Sequence, residues 1–284
     1  MEKITTMVKK LTFIGGGAMG EAILKGILQA QLLDKEAITV SDPTTSRQEY
    51  LRTSYGVQVT GDNVAAVEDA ELVILAVKPQ MVDAALTAAV VKAIPTQATI
   101  VSIMGSVDLA KLHRLIPSRA IIRVMPNTPL AVGAGMTAIA PDAQAEDSMV
   151  AVVKEIFGAC GEVVEVEESS MEAITAISGC GPGYVFVLID ALADAGVNAG
   201  LPRALAIKLA AQTFAGSGQM VLATGLHPAQ LRDQVTSPGG TTIAGIHALE
   251  NHGVRGAMRS VYVRDPDGNA VQAVLARSEK LKGN

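Results

Sequence analysis

The chain has 284 residues, of which 49 % are hydrophobic and 18 % charged, and its net charge is −5. That length holds one large domain or two of ordinary size, and that composition belongs to a folded, core-rich chain rather than a disordered one. The acidic balance and the lack of any basic stripe exclude a nucleic-acid-binding role.

Aromatic residues are scarce (3 %, no Trp), so the core must be built from Ala, Val, Ile, Leu and Met. Such side chains suit closely packed helices and buried parallel strands. Cys160 and Cys180 are not in a C-x-x-C spacing, which implies reduced thiols and a cytoplasmic setting. No signal-like apolar run precedes the first strand, and no apolar stretch approaches the roughly 18–20 residues of a membrane span. A soluble chain with no membrane partner is expected.

Leu11-Thr12-Phe13-Ile14 reads as a strand and runs directly into Gly15-Gly16-Gly17-Ala18-Met19-Gly20. This is G-x-G-x-x-G between a strand and a helix. Gly15 allows the tight turn, Gly17 lets backbone approach a pyrophosphate, and Gly20 permits close helix–strand packing. The helix from about Met19 to Ala30 puts Ile23, Ile27 and Ala30 on one face, with Gly26 as a site of close packing. Ile38 to Ser41 is the second strand. Asp42 follows near the offset at which an acid meets the adenosine ribose, and Ser46, Arg47 and Asn63 are candidates for a 2′-phosphate.

Alternation continues with a helix closing at Gly56 and a buried strand at Leu72 to Val77 that ends at Lys78-Pro79. A helix over Val82 to Ile94, a strand over Ile100 to Ile103 and a helix over Leu109 to Leu115 come next. The strand Ile121 to Val124 stops at Met125-Pro126-Asn127-Thr128-Pro129, a rigid, donor-rich loop. Gly135 to Ala140, a helix near Asp147 to Gly158 and Val163 to Val166 complete a mostly parallel, doubly wound α/β sheet. Glu165, Glu167 and Glu168 read as its solvated edge.

After about Ser169 the pattern is all helical. Met171 to Ile177 is broken or kinked by Ser178 to Gly183, Tyr184 to Ala195 is apolar all round, and a helix started by Pro202 runs through Met220. Helices this evenly apolar are expected to bury against a second copy of the chain. Asp233 to Gly245 then packs Thr236, Ser237, Pro238, Gly239, Gly240, Thr241 and Thr242 ahead of an apolar helix. Such a string is either a capped turn or a cradle whose bare N–H groups hold a small anion such as a carboxylate.

These motifs, in this order, resemble the pyrroline-5-carboxylate reductases from the first strand to roughly residue 260. The resemblance implies a Rossmann-like domain at 1–168 and an all-α dimerisation and substrate domain at 169–284. It implies reduction of 1-pyrroline-5-carboxylate to L-proline with NADPH or NADH, in a homodimer at least. By resemblance the cofactor is held by Gly15 to Gly20 and by Ala76, Val77, Lys78 and Pro79, with Met125, Pro126, Asn127 and Thr128 along its nicotinamide side; Asp42 and Asn63 join them as cofactor candidates from the residues alone. The substrate carboxylate is held by the Gly239, Gly240 and Thr241 amides with Ser237 and Gln234, and the Thr242 hydroxyl reaches the ring nitrogen as the catalytic group.

Some positions depart from the family. Cys180 and Gly183 replace Ser and Ala, Gln234 replaces a frequent Asn, and Met104-Gly105 replaces a small-residue pair. The four His show no metal spacing, and no metal is expected. Two other readings stay open: a hydroxyacid dehydrogenase with Lys208 as its lysine, and a non-catalytic dinucleotide-binding protein. Residues from Arg255 onward match poorly and receive no role.

Overall fold

The structure, a computed structural model, describes residues 7–259 and the short strands Val263–Arg264 and Ala270–Val271. The remainder of the C-terminal tail lies outside the described residues. The chain forms two compact units that divide between Gly179 and Cys180.

The first unit is an eight-stranded sheet. Its strands are β1 (Leu11–Ile14), β2 (Ile38–Ser41), β3 (Gln58–Thr60), β4 (Leu72–Leu75), β5 (Thr99–Ser102), β6 (Ile121–Met125), β7 (Gly135–Pro141) and β8 (Gly161–Glu165). The order across the sheet is β3-β2-β1-β4-β5-β6-β7-β8, and every pairing is parallel except β6 with β7. The chain reverses direction of travel between β1 and β4, and that switch point is where open α/β sheets bind ligands. The four residues of β1, β4 and β5 are all buried, as the unbroken apolar runs require.

Helices cover both faces: α1 (Ala18–Gln29), α2 (Thr45–Tyr55), α3 (Asn63–Val67), α4 (Val82–Ala85), α5 (Ala88–Ala93), α6 (Leu109–Leu115) and α7 (Asp147–Gly158). The single helix expected over Val82 to Ile94 is in fact two. Leu86 leaves helical geometry at ψ 56°, and Thr87 opens α5 by accepting the Val90 N–H on its hydroxyl at 3.4 Å. Gly26 meets Cys160, where a Cβ would collide with the thiol sulfur. Burial also pushes the Cys160 thiol pKa up, so this cysteine behaves as a small core residue.

Helix α8 (Met171–Ile174) packs Met171 with Met125, Ala138 and Ala140, and so falls within the first unit. It widens into a π turn over Thr175–Gly179. There the Thr175 hydroxyl donates to Met171 O at 2.7 Å and the Ser178 hydroxyl to Ile174 O at 3.1 Å. The expected break or kink falls here: the π turn ends at Gly179, and Cys180 is the N-cap of the next helix. The run Glu168–Asn198 is continuous over 31 residues and, by length and composition, would suffice to cross a membrane. This corrects the expectation that no stretch reaches that length.

The second unit is helical: α9 (Gly181–Asn198), α10 (Arg203–Thr224), α11 (Pro228–Gln234), α12 (Thr241–Asn251) and α13 (Val254–Arg259). Helices α9 and α10 meet through small residues, with Ala193, Ala206 and Ala210 buried. A Cβ on Gly196 would stand 3.0 Å from the Ala206 methyl. No other hydrophobic residue of this unit is buried among those described. Phe186 (62 % exposed), Val187 (68 %) and Leu222 (78 %) lie open.

Candidate active site

The glycine loop joins β1 to α1, and each glycine has its own steric reason. Gly15 sits at φ +103°, and a Cβ there would lie 2.7 Å from the Ala76 carbonyl at the end of β4. A Cβ on Gly20 would lie 2.7 Å from Gly15 O and 3.3 Å from the Ala76 methyl. Gly17 differs: beyond its immediate chain neighbours, no atom of the described residues lies within 4 Å of the position its Cβ would take. It is also the N-cap of α1, with no side chain capping the helix. An open, uncapped helix start beside a close-packed turn suits a pyrophosphate, so these residues fit a dinucleotide.

The loop is tied to the neighbouring strand ends. Gly15 N–H donates to Ser41 O at 2.8 Å, and Ala76 N–H donates to Ile14 O at 2.8 Å. Asp42 accepts the Gly16 N–H on Oδ2 at 3.1 Å and the Thr44 N–H on Oδ1 at 2.9 Å. Asn63 accepts from the Ser41 hydroxyl at 2.6 Å and donates to Ala85 O at 3.1 Å. Both ends of that amide are thereby used within the chain.

A cluster that sequence reading did not find lies behind this loop. Arg47 Nε donates to Gly16 O at 2.6 Å, while its Nη2 pairs with Glu21 Oε2. Glu21 Oε1 also accepts from the Tyr55 and Tyr50 hydroxyls at 2.6 and 2.8 Å. Burial raises the Glu21 pKa, but the bonds from Tyr55, Arg47 and Tyr50 outweigh it and hold it below the ordinary carboxylate range. Burial and the adjacent Glu21 carboxylate push the Tyr55 phenol up.

Farther along the same sheet edge, Ala76, Val77 and Lys78 follow β4, and Pro79 starts a single 3₁₀ turn. Lys78 is its N-cap and is exposed. At the end of β6, Met125 and the following Pro126 and Asn127 are buried, and Thr128 begins a 3₁₀ turn. Asn127 Nδ2 donates to Ser178 O at 3.0 Å, and its Oδ1 accepts the Met136 N–H at 2.9 Å. Its amide thus pins the loop to the π turn.

Glu168, read from sequence as part of a solvated edge, is instead the partner of buried Arg123. Arg123 Nη1 donates to Glu168 Oε1 at 2.7 Å, its Nη2 donates to Gly105 O at 2.8 Å, and Leu109 N–H donates to Glu168 at 3.1 Å. A guanidinium that is only 5 % exposed requires such a counter-ion. Together they fix the Met104-Gly105 loop after β5.

In the second unit, Gln234 ends α11, and the chain turns through Ser237 to Gly240 before α12. Gly239 takes φ +70°, and Gly240 N–H donates to Ser237 O at 3.0 Å. Neither Thr236 nor Ser237 starts a helix as their residue types suggested. The Thr236 hydroxyl turns back to Arg232 O at 2.6 Å, and the N-cap of α12 is Gly240, with no side chain capping it. The N–H groups of Thr241 and Thr242 are therefore presented without an internal acceptor. The Thr242 side chain is exposed and makes no hydrogen bond within the described residues.

The cofactor candidates thus gather at strand ends of the first unit, and the substrate candidates gather around one loop of the second. His227 caps α11, accepting the Ala229 N–H at 3.2 Å. No group of side chains among the described residues could hold a metal ion. Lys208 is exposed on α10.

Residues 10–106 match the family model described as NADP oxidoreductase, coenzyme F420-dependent, and residues 168–280 match that for pyrroline-5-carboxylate reductase dimerisation. The long apolar run Glu168–Asn198 falls inside the second match. A pyrroline-5-carboxylate reductase of Synechocystis is 46 % identical over 272 residues, covering 96 % of this chain and 98 % of that protein. Among solved structures, the chain is similar to a pyrroline-5-carboxylate reductase from Coxiella burnetii (TM-score 0.80, 30 % identity, 96 % and 98 % covered). It is also similar to a pyrroline carboxylate reductase of Plasmodium falciparum with NADP bound (TM-score 0.79, 32 % identity, 88 % and 92 % covered). With a glycine cradle, an uncapped α12 and near-complete alignment at such identity, the chain belongs to the pyrroline-5-carboxylate reductase family.

Proposed function

We infer that the chain reduces the C=N bond of 1-pyrroline-5-carboxylate to give L-proline, using NADPH or NADH. The observation that carries this is the uncapped start of α12 behind Gly239, in a chain 46 % identical to a curated reductase of that name. When bound, the reduced nicotinamide supplies the hydride. Everything else falls to the chain.

The Gly15 to Gly20 loop, with Ala18 and Met19 opening α1, holds the pyrophosphate at the helix start. Asp42 faces the ribose, and Ala76 to Pro79 and Met125 to Thr128 line the nicotinamide side. Asn63 and Asn127 act on the cofactor through the loops that their amides pin. The amides of Gly239, Gly240 and Thr241 hold the substrate carboxylate at the positive end of α12, with Ser237 and Gln234 beside them. The Thr242 hydroxyl can donate to or accept from the ring nitrogen, and so serves it as imine and as amine. A protonated cyclic imine is already electrophilic, so alignment and charge placement are the tasks left to the protein.

The roles divide between a cofactor domain over 1–168 and a substrate and dimerisation domain over 169–284. The working form is a cytoplasmic homodimer at least, because the apolar faces of α9 and α10 need cover. The test is to mix the chain with 1-pyrroline-5-carboxylate and either cofactor and follow the reduced-nicotinamide absorbance. Substrate-dependent loss with proline as product is expected; no loss with either cofactor overturns the reading.

A further inference from the structure

Two side chains hold one residue of the glycine loop, Gly16, through its two flanking peptides. Asp42 Oδ2 accepts the Gly16 N–H at 3.1 Å, and Arg47 Nε donates to the Gly16 carbonyl at 2.6 Å. Arg47 therefore stands at the Asp42 end of the cradle, where an arginine accommodates the 2′-phosphate that separates NADPH from NADH. Here that arginine is already engaged. Its Nη2 is bound to Glu21, and its guanidinium carbon lies 5.0 Å from the centre of the Tyr50 ring.

Glu21 is itself held in place by the Tyr50 and Tyr55 hydroxyls, so the carboxylate cannot swing away from the guanidinium. The pair is partly buried, with side chains 26 % and 20 % exposed, and is therefore screened less than a fully exposed pair. Asp42 and Glu21 carry one negative charge each against the one positive charge of Arg47. A 2′-phosphate arriving here meets a net negative cluster whose cation is committed elsewhere.

We propose that Glu21 is a specificity-determining residue for the cofactor: by holding Arg47, it withholds that cation from a 2′-phosphate and shifts the choice toward NADH. The proposal rests on the reductase reading only for the class of cofactor, and binding alone tests it.

Dissociation constants for NADPH and NADH are measured by nicotinamide fluorescence, without substrate, in the full chain. Glu21→Gln keeps the acceptor for both tyrosines but removes the charge. It is expected to tighten NADPH about tenfold while NADH stays within about twofold. Arg47→Ala alone is expected to move the NADPH-to-NADH ratio less than about twofold, and in the Glu21→Gln background to abolish the gain. Glu49→Gln, which removes a charge of the same sign from the exposed Arg52 pair, is the control for net charge and is expected to leave the ratio unchanged.

A ratio unmoved by Glu21→Gln overturns the proposal. So does a tenfold selective loss of NADPH in Arg47→Ala alone, because Arg47 would then already serve the phosphate; this second result stands even where Glu21→Gln fails to fold. If the wild-type chain binds neither cofactor, the reductase reading fails and takes the proposal with it.

Discussion

The two units of this chain spend their apolar residues in opposite ways. In the first, Phe13, Ile23, Ile74 and Val101 are wholly buried between sheet and helices. In the second, burial stops at three alanines, while Phe186, Val187 and Leu222 face outward. Apolar helices thus serve a finished core in one unit and an unfinished one in the other. The first unit can be expected to keep its fold without help; the second draws its stability from whatever covers α9 and α10, and the family match there is to a dimerisation region.

The largest expected effect comes from attacking the unfinished core. Phe186→Asp with Val187→Asp removes two apolar side chains, each worth roughly 1.5–3 kcal/mol when buried, and adds charges that would have to be desolvated. Sedimentation over a dilution series should show the assembly lost, with the first unit still giving a cooperative melt. An unchanged mass would mean that these faces are not covered by another copy.

The next contrast lies within the glycine loop. Gly15→Ala must force a Cβ against the Ala76 carbonyl at positive φ, so both melting temperature and cofactor affinity should fall. Gly17→Ala meets nothing beyond its chain neighbours among the described residues, so it should melt like the wild type and yet bind NADPH at least about tenfold more weakly. Equal behaviour of the two variants would undo the separate roles given to the two glycines.

Thr242→Ala probes the substrate side. Because the hydroxyl has no partner among the described residues, its loss should leave folding and cofactor affinity untouched while kcat falls about 10- to 100-fold. Unchanged turnover would reduce Thr242 to a helix-starting residue.

The smallest effect expected is a pH dependence in the first unit. The Glu21 pKa is lowered in the fold, so its contribution to stability is present above the ordinary value of 4.5 and is lost as pH falls through the folded value. The melting-temperature gap between wild type and Glu21→Gln should therefore be open at neutral pH and close on acidification below 4.5. A gap that widens in acid has the wrong sign.

What the sequence made legible was local. Apolar runs located β1, β4 and β6, and the spacing of the glycines assigned a tight turn to Gly15 and close helix–strand packing to Gly20, both of which the backbone displays. The three-residue edge strand Gln58–Thr60 escaped notice because it is polar and carries no run. The partners that matter around the cradle were hidden for a different reason. Glu21 and Arg47 are 26 residues apart, and Arg123 and Glu168 are 45 apart; Arg47 read as a candidate for a 2′-phosphate, but nothing local in the sequence joins either pair until the fold brings it together. Thr236 and Ser237 misled in the opposite direction, since residues that favour helix starts also favour turns, and Gly240 took the cap.

The central claim is that this chain moves a hydride from the cofactor to an imine carbon, and isotopic labelling tests it most directly. With NADPH or NADH deuterated at the transferring position and 1-pyrroline-5-carboxylate as substrate, the proline formed should carry one deuterium on the ring carbon that was doubly bonded to nitrogen. Proline without that label, or cofactor consumed with no proline formed, would contradict the account.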